Sequence, residues 1–339
     1  MVVEPLSVLL SRVWIALVIE IDNAVEASAP PEAVDRFRIS FPMWANGLRL
    51  VHDGTTVAQL GAAAGAQVNL AGLERWGWIV LGDRRRGDAG FGSHRGVIPS
   101  TSVRLTSAGT AVCRVWPDRI AEVEERWRRR FGVPTVRALT ELGSQLGAGM
   151  PWALPEVHPR DGFYSHPLPT PSEDHPPLAA ALGSALTAVT VHQERSAPVS
   201  LALSANVLHA LGAEPARTRD LPTRTGLAKE AVAVSISYLA RHALATRTPG
   251  GTIRLTTAGI EAKEEADARP GPDHAQLRLL LDQVLADTHA LRDGLHPPTG
   301  CWRGKPPHTT RTRHLLDDPA AALPRQPIPL HRGGWPDGS

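Results

Sequence analysis

Two five-residue segments constrain this chain more than any other feature. Leu105-Thr106-Ser107-Ala108-Gly109 and Leu255-Thr256-Thr257-Ala258-Gly259 stand 150 residues apart, each where a short strand-like stretch gives way to a helical one. Threonine there is the residue type that caps a helix N-terminus. Two more matches occur in the same order. Pro5-Leu6 with Leu10, Ala16 and Asp22 following matches Pro177-Leu178 with Leu182, Ala188 and Glu194 following, at an offset of 172, and Ala45-Asn46-Gly47-Leu48 matches Ala205-Asn206-Val207-Leu208 at an offset of 160. An offset that shrinks along the chain predicts a duplicated domain with loop insertions in the first copy.

Each copy reads as the same succession. In the second, a helix from Val199 to Leu211 ends at Gly212, a short helix spans Asp220 to Thr225, Gly226 makes a turn, and Lys229 to His242 form a longer helix with Val232, Ile236 and Leu239 inward. Strands Ala243 to Thr248 and Thr252 to Leu255 flank Pro249-Gly250-Gly251, a hairpin turn. In the first copy, helices Phe41 to Val51 and Thr56 to Ala64, a turn at Gly65, a third helix ending near Arg75, and strands 78–81 and 102–105 precede a helix from Ser107 toward Arg130. The predicted fold class is mainly α with small β-wings: two tandem winged helix-turn-helix domains joined by a Pro-rich linker. Expected boundaries are 1–146, linker 147–177, 178–295 including a last helix from Pro272 to Leu295, and an irregular Pro-rich tail 296–339.

The arrangement, with Leu-Thr-x-x-Gly where the wing strand meets the final helix, resembles the MarR-type winged-helix transcriptional regulators. The resemblance covers about residues 40–130 and 199–265 together with the leading helices, which in that family build the dimer interface. It implies a single-chain pseudo-dimer binding double-stranded DNA, itself monomeric or paired as a homodimer, and controlled by a small apolar effector. One departure is plain: Gly65 to Leu73 is eight steps and Gly226 to Leu239 is thirteen, so the first recognition helix lacks more than one turn.

DNA binding requires cations for phosphate and polar side chains for base edges. The candidates are Gln67, Asn69, Arg75, Arg84, Arg85, Arg86 and Arg95 in the first copy, and Arg224, Lys229, Ser235, Arg247 and Arg254 in the second, which is also flanked by Arg217 and Arg219. Trp14, Trp44, Trp76 and Trp78 are the candidates for an effector pocket, with core packing as the competing reading.

Net charge is only +2, so any nucleic-acid surface has to come from local clustering. Cys113 and Cys301 have no metal spacing, the fourteen histidines form no ligand motif, and nucleophile-elbow, phosphate-loop and dinucleotide signatures are missing, which predicts no metal, no cofactor and no enzyme. The apolar run Leu6 to Ile21 carries Arg12 and is shorter than the ~20 residues that span a bilayer, so it reads as a buried helix of a cytoplasmic protein. The rival function is a winged-helix scaffold that binds a small molecule or protein partner without reading DNA.

Overall fold

Helix α1 (Leu6–Ala27) is apolar on every side, and only Arg12, Ala24 and Ala27 in it escape burial. A helix of that composition needs cover all round, and both halves of the chain supply it. The computed structural model describes residues 4–29, 38–82, 97–160, 162–163, 170, 175–195, 197, 199–268, 274–296, 315–330 and 333–338. Among these the chain is mainly helical with small antiparallel sheets, and no helix is long and apolar enough to cross a membrane.

Beside α1 lies α7 (Leu178–Glu194), where the Trp14 indole N–H donates to the Ala179 carbonyl at 2.9 Å. The contacts then cross over. Helix α6 (Val133–Leu146) belongs to the first half yet lies along α7, while α12 (Ala275–Ala286) belongs to the second half yet lies along α1. The largest core cluster accordingly draws on both halves, and a second one fills the space beneath the later elements of the second half.

The outer elements repeat. The first half has α2 (Phe41–Ala45), a 3₁₀ turn at Leu48–Leu50, α3 (Val57–Ala64), α4 (Leu70–Arg75), strands β1 (Ile79–Leu81) and β2 (Val103–Leu105), and α5 (Ser107–Phe131). The linker adds β3 (Val157–His158) and β4 (Gly162–Phe163). The second half has α8 (Leu201–Ala210), β5 (Ala216–Arg217), α9 (Leu221–Thr225), α10 (Lys229–Arg241), β6 (Ala245–Thr248), β7 (Thr252–Leu255) and α11 (Thr257–Ala268), then α12, α13 (Thr288–Leu295) and α14 (Pro319–Ala322).

The paired signatures have one physical basis. Thr106 and Thr256 each accept the N–H of a glycine, Gly109 at 3.0 Å and Gly259 at 3.1 Å, and donate their hydroxyls to the carbonyls of Gly77 and Ala243. Those two carbonyl residues both take positive φ, 80° and 56°. A Cβ on Gly109 or Gly259 would run into the carbonyl of Trp78 or Leu244, so the helix can pack this close to the strand only with glycine there. The carboxylates matched at an offset of 172 also share a role. Asp22 Oδ1 accepts the Phe41 N–H at 2.9 Å at the start of α2, and Glu194 Oε1 accepts the Ala202 N–H at 2.7 Å at the start of α8.

Linker and tail are a further repeat that composition concealed. Asn46 donates to the Ala153 carbonyl at 2.7 Å and accepts the Ala153 N–H at 3.3 Å, and Asn206 does the same to Gln326 at 2.7 and 3.1 Å. Two residues earlier, Ser184 donates to the Pro151 carbonyl and Ser11 to the Pro324 carbonyl, each at 3.0 Å. Each half's trailing segment is thereby fastened to its own second helix and to the leading helix of the opposite half. Beyond the short α14 the described tail is irregular as expected, yet it is packed, with Leu323, Ile328, Leu330 and Trp335 buried. Cys301 lies outside the described residues.

Other expected elements change too. The helix expected from Phe41 to Val51 stops at Asn46, whose side chain is spent on the linker, and α6 was not foreseen. The helix expected from Pro272 to Leu295 is two, because Asp287 turns its carboxylate onto the Ala290 N–H at 3.0 Å and caps a new start.

Candidate nucleic-acid interface

The second half presents the clearer site. Pro222 in the first turn of α9 needs no N–H partner, and Gly226 ends that helix at φ 68°. The Gly226 position is crowded from outside, since a Cβ there would strike the Ala322 carbonyl. Helix α10 then starts with the Ala228 N–H donating to the Asp337 carbonyl at 2.9 Å, so the tail holds the start of this helix. Its inner face buries Ala231, Val232, Ser235, Ile236, Tyr238 and Leu239, and its outer face shows Lys229, Glu230, Ala233, Ser237 and Arg241.

Strands β6 and β7 pair from Ala245 with Leu255 to Thr248 with Thr252, and Gly250 and Gly251, at φ 84° and 74°, make the tight turn between them. β5 adds a third strand beside β7 through Arg217 and Thr252. Between this sheet and α10 runs a cleft of about 870 Å³. Arg217, Arg219, Lys229 and Arg247 line it together with Val232 and Ile236, and among the described residues no carboxylate does, although Asp220 stands 3.6 Å from Arg219 Nε. Four exposed cations around an apolar floor attract a polyanion.

Not every expected residue joins that surface. Lys229 and Arg247 do, and Arg254 is exposed on β7 without lining the cleft. The Arg224 guanidinium donates to the Ala210 carbonyl at the end of α8, a helix-capping role. Ser235 is corrected: it is fully buried and its hydroxyl donates to the Leu203 carbonyl, so it faces α8 and not solvent. In the first half Gln67 is exposed, and Arg75 is exposed with its guanidinium 5.2 Å from the Trp76 ring. Asn69 is corrected as well, since its side chain caps α4 by accepting the Gly72 N–H at 2.9 Å. Arg84, Arg85, Arg86 and Arg95 lie outside the described residues.

The tryptophan pocket is corrected. Trp14 and Trp44 are buried, Phe41 packs against both, and Trp44 stacks on Trp116 with ring centres 4.9 Å apart. Trp76 and Trp78 pack on each other at 5.4 Å. These rings fill the core. A separate cleft of about 830 Å³ between α1, α5 and α13 is charged, not apolar, with Glu20 and Glu122 engaging Arg119, Arg126 and Arg130 along it.

Sequence reasoning noted Arg217 and Arg219 only as neighbours. It missed that β5 and the 3₁₀ turn after it carry them to the mouth of the α10 cleft, a placement that depends on a two-residue strand too short to leave a pattern. No protein family, no curated protein and no solved structure matches this chain.

Proposed function

We propose that the chain is a DNA-binding transcriptional regulator, with the helix pairs and hairpins of its two halves acting as two winged helix-turn-helix units of the MarR type in one pseudo-dimeric chain. The observation that carries this reading is the cleft between α10 and its hairpin, lined by Arg217, Arg219, Lys229 and Arg247 and, among the described residues, by no carboxylate. Cations on a hairpin and at a helix start are where phosphates are gripped when a helix lies in a major groove. The crossed packing of α6 on α7 and α12 on α1 supports the pseudo-dimer, because it is the exchange of helices that two separate copies would make about a shared axis.

Fluorescence anisotropy with labelled duplex DNA across a salt series tests it. The dissociation constant is expected to rise steeply with salt, the logarithm of the association constant falling by about 0.9 per phosphate neutralised per decade of salt. Lys229→Glu combined with Arg247→Glu removes the binding. Absence of binding at low ionic strength, or binding indifferent to salt, overturns the reading.

The apolar floor of Val232 and Ile236 favours one second reading, a scaffold whose cleft takes an acidic partner protein. In that case the wild-type chain shows no salt-dependent duplex binding.

A further inference from the structure

Resting on the DNA-binding reading above, the two halves differ in what they can read. In both, the residue just before the first hairpin strand is tied to the preceding helix in the same way. The Trp78 N–H donates to the Leu73 carbonyl at 3.0 Å, and the Leu244 N–H to the Leu239 carbonyl at 2.9 Å. That fixes an offset of 166 between α4 and α10 and aligns Leu70, the first residue of α4, with Ile236. Lys229 through Ser235 therefore have no counterpart on α4. The missing part is the N-terminal end, which contacts base edges when a recognition helix lies in the major groove.

What remains of α4 is held inward. Leu70, Gly72, Leu73 and Glu74 are buried, and Arg75 is its one exposed residue. Asn69 caps the helix, and Glu74 Oε1 accepts the Leu81 N–H at 3.1 Å, so neither side chain is presented outward. Gly72 is wedged, since a Cβ there would stand 2.7 Å from Asn69 Nδ2 and 2.8 Å from the Trp76 ring. At 1.5 Å per residue α4 is about 9 Å long and α10 about 20 Å. A helix lies along the groove it reads, and α4 offers fewer than two turns for that where α10 offers more than three.

We propose that α10 alone reads bases, so that one chain recognises one short asymmetric motif and a twofold-symmetric site takes two chains. The test is selection of duplexes from a random library by the full chain, followed by native mass spectrometry of the selected duplex to count bound chains. One motif per bound chain is expected. Lys229→Glu is expected to weaken binding to the selected duplex by about tenfold or more, and Arg75→Glu by less than about twofold with the motif unchanged. Two motif copies about one helical turn apart, roughly 34–36 Å, under a single chain would overturn the proposal. So would an altered motif in Arg75→Glu, or salt-sensitive binding with no motif enriched. Loss of all salt-sensitive binding in the wild-type chain instead removes the DNA-binding reading, and this inference with it.

Discussion

Val157 and Leu330 run side by side as a parallel pair, with the Val157 N–H donating to the Pro329 carbonyl at 3.0 Å. Each stands four residues beyond the backbone that an asparagine clamps, Ala153 for Asn46 and Gln326 for Asn206. The straps that trail the two halves thus converge after passing over opposite leading helices. Asn46→Ala or Asn206→Ala leaves a backbone N–H and C=O without their partner, at a cost of about 1–3 kcal/mol each. Urea denaturation of the singles and the double checks this, and a freely moving linker or tail would leave the midpoint unchanged.

The two signature glycines give a sharper contrast. Gly109→Ala and Gly259→Ala each push a methyl into a backbone carbonyl, and destabilisation of about 1–3 kcal/mol is expected. Gly61, in the middle of α3, has nothing within 4 Å of an added Cβ, so Gly61→Ala is expected to stabilise by about 0.4–1 kcal/mol. Thermal unfolding of the three variants orders them, and a Gly259→Ala chain as stable as wild type would contradict the close helix-strand approach.

Glu156 sets a pH dependence. Its Oε2 is shut off from solvent with no hydrogen-bond partner among the described residues, and burial pushes its carboxyl up to about 8, with a hydrogen bond from Asn69 acting the other way. A carboxyl that holds its proton more tightly folded than unfolded adds stability below the unfolded value. That contribution is lost as pH rises from about 4.5 through about 8. Denaturation midpoints measured over this window are expected to fall in wild type and to fall less in Glu156→Gln. Parallel profiles for the two proteins would refute the assignment.

Glu20 gathers a charged cluster on the first half that reaches the second through one hydrogen bond. Buried on α1, it accepts Arg126 Nε and Trp127 Nε1 at 2.8 Å each and also pairs with Arg130, whose Nη1 donates to the Ala290 carbonyl on α13 at 2.8 Å. Glu20→Ala takes the carboxylate from the partly buried Arg130 guanidinium and from the Trp127 indole, while Arg126 keeps Glu122, and is expected to cost about 3 kcal/mol. Gly294→Ala, which sets a methyl against the same carboxylate and guanidinium, should move stability in the same direction. An unaltered unfolding midpoint in Glu20→Ala would show that the network is dispensable.

The sequence made the repeats legible because the strongest signals, a threonine cap and a glycine under a carbonyl, are local and tolerate few residue types. The shortened α4 could be counted from Gly65 and Leu73. Ser235 could not be placed so simply: the buried stripe of α10 is wide enough to take in a serine that satisfies itself on Leu203. The order in the tail was hidden for a different reason. Recurrent proline forbids helix and strand interiors, but it does not forbid a fixed path, and here the path is set by Asn206 and Ser11, 120 and 313 residues away from what they bind. Four tryptophans in one half are compatible in sequence with a cavity wall, yet an alanine-rich helical framework needs large rings to close its interior, and Phe41 and Trp116 complete that packing.

The crossed helix pairs also decide how the chain can be divided. A cut within residues 164–174 separates the halves in sequence but not in assembly. One fragment keeps α6 without α7 to lie along, and the other keeps α12 without α1. Each fragment would expose the apolar side of a helix whose cover is on the other. Co-expressed fragments should therefore complement one another into a stable heterodimer, where either alone would be insoluble, as halves of an obligate pair that happen to be encoded on one chain.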